Sequence, residues 1–244
     1  MKPLREIAGV EVYPVTLGGG PLRVSILRAA RAPLSGAVER EWARISAANP
    51  RAFDGPVLSV LSYDPASNHL SARRDTYARL AVQPAVHTGV RILSVTGVLT
   101  ARDAGGREHV LLGRRGEGVR VYERMWELGP SGGVHTPPDA VDELDEDALF
   151  ATLADEVEEE VGLRPPRARA VAVCRDHVAM SDDIVFACDL GALEEAGAHA
   201  ANWEYGEVLW MPTDALAGWE AAHEAAIIAP TRALFRALGW ICWS

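Results

Sequence analysis

Along most of the chain, apolar residues alternate with polar ones or gather in short runs, and a helical period appears in only a few places. Residues 9–16 (GVEVYPVT) and 22–28 (LRVSILR) read as two strands, with Gly18-Gly19-Gly20 between them as a turn or hairpin signal. In 36–48, Val38, Trp42 and Ile45 recur at helical spacing, and Asn49-Pro50 ends the helix. Strands around 56–63 and 68–74 and a helix near 76–81 complete a small α+β block. Pro84 interrupts the pattern within 83–87, so the expected division is an N-terminal α+β domain over 1–88 and a second domain over 89–244.

The second block opens with residues 90–99 (VRILSVTGVL) and 108–114 (EHVLLGR), strands flanking a hairpin turn at Asp103-Ala104-Gly105-Gly106. Further strands are expected near 168–174, 183–189 and 207–211, and a helix over about 220–238 closed by Gly239. Between them, residues 146–161 have helical period. At about 100° per residue, Phe150, Leu153, Val157 and Val161 share a core-facing stripe. Glu156 and Glu160 lie four apart on its edge, with Glu159 beside them. Strands interleaved with a few helices fit a layered α/β sandwich.

Composition narrows the function classes. The chain has 244 residues, 48% of them hydrophobic, and a mean hydropathy of zero. No apolar run reaches the roughly twenty residues of a membrane span. The opening MKPLREIAGVEVYPV lacks an apolar signal core, so export is not expected. Cys174, Cys188 and Cys242 have no CxxC spacing and read as reduced thiols of a cytoplasmic protein, not as a zinc site or disulfide framework. The net charge of −10 is uneven: residues 139–160 carry eleven carboxylates and no basic side chain. That balance argues against nucleic acid as a partner.

The candidate chemistry lies in two strings. Trp126-Glu127-Leu128-Gly129-Pro130-Ser131-Gly132-Gly133 is a glycine-rich loop, and Asp155-Glu156-Val157-Glu158-Glu159-Glu160-Val161-Gly162-Leu163 is a helix end with close-set glutamates and a glycine stop. Like charges at this spacing repel, more so when partly buried, and a bound cation reverses the sign. Magnesium prefers carboxylate oxygens and bridges to substrate phosphates. An isolated VEEEVG string is more often a solvated helix face; the glycine loop before it and the glycine after it favour metal binding.

The two strings together resemble the box of the Nudix hydrolase superfamily, a glycine loop followed by a helix with Arg-Glu, an aliphatic residue and Glu-Glu before a glycine. Glu156, Val157, Glu159, Glu160, Gly162 and Leu163 match that pattern. Asp155 stands where the family has Arg, and the interval from Gly133 to the helix is longer than usual. The strings VEREWARISAANPRAFDGPVL and RDTYARL further resemble the front of the atypical UDP-sugar diphosphatase subfamily, which shares the lengthened interval and lacks the box Arg.

This resemblance implies a Nudix-type α/β/α sandwich with a mixed sheet plus the small N-terminal domain. It also implies a Mg²⁺-dependent hydrolase (with Mn²⁺ as substitute) that cleaves the diphosphate of UDP-glucose or UDP-galactose to UMP and a sugar 1-phosphate. Glu156, Glu159 and Glu160 match catalytic metal ligands. Phe53, Tyr77, Arg115, Glu127, His135 and Thr231 match substrate contacts, the loop at His135 leaving Val134 as an alternative. Each has a bland reading: Phe53 under a turn, Tyr77 in a core, Arg115 and His135 in solvent. Glu204 and Glu207 are the candidates outside the box for the base that activates water. Two other readings stay open. One is a hydrolase of another nucleoside diphosphate derivative, such as a different nucleotide sugar, ADP-ribose or coenzyme A. The other is a non-catalytic nucleotide sensor, which Asp155 favours and the retained glutamates oppose.

Overall fold

A computed structural model of the chain describes residues 6–16, 18–28, 32–196 and 202–243. Residues 1–5, where the segment read for an export signal begins, lie outside the described residues. Strands β1 (Glu6–Ile7), β2 (Val10–Pro14) and β3 (Arg23–Leu27) are followed by helix α1 (Gly36–Ala48), β4 (Pro56–Asp64), β5 (His69–Thr76) and helix α2 (Tyr77–Ala81). Then come β6 (Ile92–Arg102), β7 (Glu108–Arg115), β8 (Trp126–Leu128), β9 (Ser131–Gly133), β10 (Glu143–Leu144) and the long helix α3 (Glu146–Val161). The chain continues through β11 (Ala170–Asp176), β12 (Ser181–Ala192), α4 (Leu193–Ala196), β13 (Tyr205–Pro212), α5 (Leu216–His223) and α6 (Ala229–Ala237).

One mixed sheet joins the strands, in the order β1-β2-β11-β12-β6-β4-β5-β3-β10, with β7, β8, β9 and β13 branching from β6. β12 runs parallel to β6, and β6 and β7 form the expected hairpin, Asp103 N–H donating to the Arg107 carbonyl at 3.0 Å. Alternation along β6 feeds two cores. Leu93, Val95 and Leu99 pack with Leu149, Leu153, Val157 and Val161 of α3 on one face. Val98 packs with Leu216 of α5 and Ala233, Leu234 and Phe235 of α6 on the other. Each fully buried aliphatic side chain contributes about 1.5–3 kcal/mol relative to exposure. The architecture is therefore an α/β sandwich with helices on both faces of a mixed sheet. The expected division at residue 88 falls between α2 and β6, while β2 pairs with β11 and β4 with β6 in the same sheet.

Two expectations are corrected. β2 and β3 do not form a hairpin: β2 pairs with β1 and β11, and β3 runs parallel to β5. The buried Asn68 side chain decides this. Its amide donates to the Thr16 and Gly20 carbonyls, and its oxygen accepts from Thr16 N, each at 2.8 Å. The glycine segment is thereby held against the turn before β5. A Cβ on Gly19 would lie 2.7 Å from the Asn68 amide nitrogen. The helix expected over 220–238 is two helices, because Pro230 starts α6 and has no N–H to continue the preceding turn. In the break, Ile227 makes a β-bridge with Trp126 and Ile228 N–H donates to the Trp126 carbonyl at 3.0 Å.

The acidic stretch before α3 is part of the scaffold. β10 pairs with β3, and Arg74 donates to the Pro138 and Val141 carbonyls at 2.8 and 2.7 Å. Buried Glu146, in the first turn of α3, accepts from Leu22 N at 3.2 Å and Ala170 N at 2.9 Å, clasping the strands on either side. Asp145 caps the helix by accepting from Ala148 N, and Gly162 closes it at φ +69°, a conformation that favours glycine. Cys174 and Cys188 are buried free thiols and Cys242 is an exposed one. Among the described residues no helix is long and apolar enough to cross a membrane.

Candidate active site

Of the close-set Glu156, Glu159 and Glu160 on α3, the first and last turn inward and Glu159 faces outward. Glu160 is 3% exposed, and its Oε2 is buried with no hydrogen-bond partner. Burial pushes its carboxyl up to about 10, reinforced by the charges of Glu204, Glu156 and Glu127 and opposed by Arg115. Glu156 is half-buried and pushed up to about 7, again by burial first and then by Glu204, Glu159 and Asp155. Glu159 is exposed on the neighbouring turn. β9, paired to β6 at Ser94↔Gly133 through Thr96↔Ser131, brings Gly132 against Glu156. A Cβ there would strike the Glu156 carboxyl group, so a larger residue at this position would displace that carboxylate.

Beside this lies a cavity of about 640 Å³. Arg115, at the end of β7, lines it and is fixed by Glu127: Nη1 donates to both carboxylate oxygens at 2.7 and 2.8 Å, while Nε donates to the Val121 carbonyl. Glu127 is buried and also accepts from the Tyr205 hydroxyl at 3.0 Å. Gly113 and Gly129 leave room for the Tyr205 side chain, which a Cβ on either would strike. Thr231 lines the cavity with its Oγ1 accepting from Leu128 N at 2.7 Å, bracing β8.

The N-terminal block supplies further lining. Phe53 is 76% exposed and still borders the cavity, and Tyr77 is half-buried with its ring edge-on to Trp42 at 6.1 Å. Arg51 stacks over Trp203 at 4.7 Å, joining this block to the segment before β13. Glu204 lines the same cavity, its carbonyl accepting from Gly116 N at 2.6 Å. Glu207 is exposed and faces Arg114 at 3.8 Å. His135 is also exposed and, like Glu156, Glu159 and Glu160, is not among the cavity residues; it faces Asp155 at 3.9 Å. Val134, the alternative at that loop, is buried in the core.

Five charged cavity residues escape the sequence patterns: Arg44, Arg51, Arg120, Asp176 and Asp183. Asp183 accepts from the Ser181 hydroxyl at 2.7 Å, and burial pushes its carboxyl up to about 7. The signal for it was strand alternation, since it shares a face of β12 with buried Val185. Among the described residues no three His, Cys, Asp or Glu side chains converge as a ready-made metal cage. Hard oxygen donors are nonetheless concentrated where the charge of Glu204 helps raise the carboxyls of Glu156 and Glu160, and one oxygen of Glu160 is orphaned.

No protein-family model and no curated protein matches the chain. Solved structures do. A MutT protein from Methanosarcina mazei Go1 is 24% identical over 60% of this chain and 91% of that one, with a TM-score of 0.43. The Nudix domain of Shewanella oneidensis NrtR, complexed with ADP ribose, is 18% identical over 63% and 88%, TM-score 0.43. DR0079 from Deinococcus radiodurans is 13% identical over 75% and 98%, TM-score 0.47. At these scores the likenesses carry no argument about function, which rests on the residues of the site.

Proposed function

We propose that the protein is a magnesium-dependent hydrolase that cleaves the diphosphate of a UDP-sugar, giving UMP and a sugar 1-phosphate. The observation that carries this reading is the buried, unpartnered Glu160 carboxylate beside Glu156, next to a cavity that also holds arginines. Such a cluster is costly when ionised, and a cation is what lets it ionise at neutral pH. The oxygen-only donor set suits magnesium or manganese. Glu156, Glu159 and Glu160 would hold the metal, which when bound neutralises charge developing on the phosphoryl oxygens.

The chain's own residues do the rest. Arg115, oriented by Glu127, donates to the diphosphate. Phe53 and Tyr77 offer aromatic surface to the base or ribose, and this contribution from residues 1–88 is the reason for preferring a UDP-sugar. Thr231 holds the cavity wall beside Glu127. In the reaction, water oxygen bonds to one phosphorus and the bridging oxygen leaves on the other phosphate. The water's proton goes to a carboxylate, and Glu204, which lines the cavity, fits that role better than exposed Glu207. Free thiols suit a reducing compartment such as the cytoplasm.

A panel of UDP-, ADP- and GDP-sugars, ADP-ribose and coenzyme A with magnesium tests this. UDP-glucose or UDP-galactose should give stoichiometric UMP and sugar 1-phosphate. Faster turnover of another member moves the substrate within the class. Tight binding with no turnover of any member makes the protein a sensor.

A further inference from the structure

Buried positive charge in this protein is otherwise paired. Every other arginine among the described residues that is not solvent-exposed ion-pairs with a carboxylate, whether Asp75, Glu127, Asp139, Asp182 or Glu220. Arg120 has no such partner. It sits in the connection between β7 and β8 and lines the cavity, its guanidinium donating from Nη2 to the Ala179 carbonyl. The neighbouring acid, Asp176, has its oxygens engaged: Oδ1 accepts from Val178 N and Ala179 N, and Oδ2 from the Tyr122 hydroxyl at 2.7 Å. Burial disfavours the charged Arg120 most; the nearby charge of Asp176 opposes that without reaching salt-bridge contact, and the like charge of Arg115 adds to it.

A half-buried cation with no carboxylate in direct contact is costly, and an anion in the cavity reduces the cost. Arg115 shares the cavity but has Nη1 committed to Glu127 and Nε to Val121, so it is a clamped donor. Arg120 commits only Nη2, to the Ala179 carbonyl, and no carboxylate holds it. We propose that Arg120 is an oxyanion-binding residue, gripping the diphosphate of the substrate together with Arg115. This rests on the cavity being a nucleoside diphosphate site, and not on which base is bound or whether cleavage follows.

The test is calorimetric binding of UDP in magnesium, with uridine as the control lacking phosphate, to wild type, Arg120→Gln and Arg120→Lys. Arg120→Gln should weaken UDP about ten- to a hundredfold, the range that a hydrogen bond to a charged group spans. Uridine should bind all three alike, and Arg120→Lys, which keeps the charge without the fork, should fall between wild type and Arg120→Gln. The ligand-free melting temperature of Arg120→Gln should be unchanged or higher, since an unpaired charge is removed. UDP affinity within twofold of wild type, or a variant that melts several degrees lower or fails to fold, overturns the assignment and makes Arg120 a loop brace through Ala179. The substrate reading fails separately. A wild type that binds ADP in place of UDP, or binds without turnover, should still lose that diphosphate on Arg120→Gln. A wild type that binds no diphosphate overturns the role of Arg120.

Discussion

Glu160 and Glu220 are the same residue type, on helices, buried to the same degree at 3% and 5% exposure. Their surroundings are opposite. Glu220 accepts from Arg232 Nε and Arg236 Nη1, both at 2.8 Å. Burial alone would raise its carboxyl, and those two bonds hold it below the usual range. Glu160 has acids for neighbours, and its Oε2 has no partner. One carboxylate is finished by the fold and the other is left for something the fold does not supply. In this pair the satisfied buried carboxylate belongs to the scaffold and the unsatisfied one to the proposed site, a distinction that burial alone does not make.

The largest effect expected comes from Glu160→Gln, nearly isosteric but without the charge. Turnover should fall about a thousandfold or more, roughly 4 kcal/mol of transition-state stabilisation. Stability without metal should hold or rise, because repulsion with Glu156 and Glu204 is relieved. The pH dependence sharpens this. Glu156 and Glu160 bind a proton more tightly folded than unfolded, so their share of stability is whole below about pH 4.5. It is lost as pH rises through about 7 for Glu156 and towards about 10 for Glu160. The metal-free melting temperature should therefore fall more steeply with rising pH in wild type than in Glu160→Gln, and magnesium should flatten the wild-type slope. Activity within severalfold of wild type at saturating magnesium would remove Glu160 from the metal site.

Glu220→Gln is the mirror experiment. Leaving Arg236 without its carboxylate, and Arg232 with only the exposed Glu224, should cost about 3 kcal/mol of stability, measured by urea unfolding. The KM of the folded protein should stay within about twofold. Its pH effect has the opposite sign: a lowered folded value contributes stability above the unfolded one, lost as pH falls through the acid range. A Glu220 variant with wild-type stability and impaired turnover would erase the contrast.

Local pattern made much of this legible. The stripe of Phe150, Leu153, Val157 and Val161, bracketed by Asp145 and Gly162, places α3 at 146–161, and Asp103-Gly106 places the β6–β7 turn. What escaped was non-local. Nothing in 9–28 says that β2 will seek β11 and β3 will seek β5, because those partners lie about 50 to 160 residues away and Asn68 arbitrates. Glu146 reads as one more acid in an acidic run, and only the fold turns it into a clasp for Leu22 and Ala170. In the candidate site, spacing places Glu156 and Glu160 on one edge of α3, and both turn inward while Glu159 does not. Arg120 carries no such signal: Val119-Arg120-Val121 between turn residues looks like ordinary loop, and its meaning is a missing partner, which no sequence pattern prints.

Phe53→Ala should have a smaller effect, on binding alone. At 76% exposure the ring has little packing to lose, so the melting temperature should barely move. If it stacks on the base, KM for the UDP-sugar should rise by about ten- to a hundredfold, within the roughly 1–3 kcal/mol that base–aromatic stacking contributes. kcat should change less, since stacking acts about equally on ground and transition states. An unchanged KM in the folded variant would take residues 1–88 out of substrate recognition, and with them the main reason for preferring UDP-sugars.

The smallest effect is expected at His135. The resemblance assigns it to substrate, yet the structure puts it in solvent, 3.9 Å from Asp155 and outside the cavity residues. An exposed pair of this kind contributes about 0–1 kcal/mol, because water competes for both partners and salt screens them. His135→Ala should therefore leave KM within about twofold and stability within about 0.5 kcal/mol, the usual spread for surface substitutions. Asp155→Ala should do the same if its carboxylate faces only His135 and solvent. A tenfold rise in KM from His135→Ala alone, with no change in melting, would mean that the loop after β9 closes over bound substrate. Losses from both variants, largest at limiting magnesium, would instead mean that the pair positions Glu156. Exposed charge would then share the role proposed for the unsatisfied Glu160, and the contrast drawn between Glu160 and Glu220 would have to be narrowed.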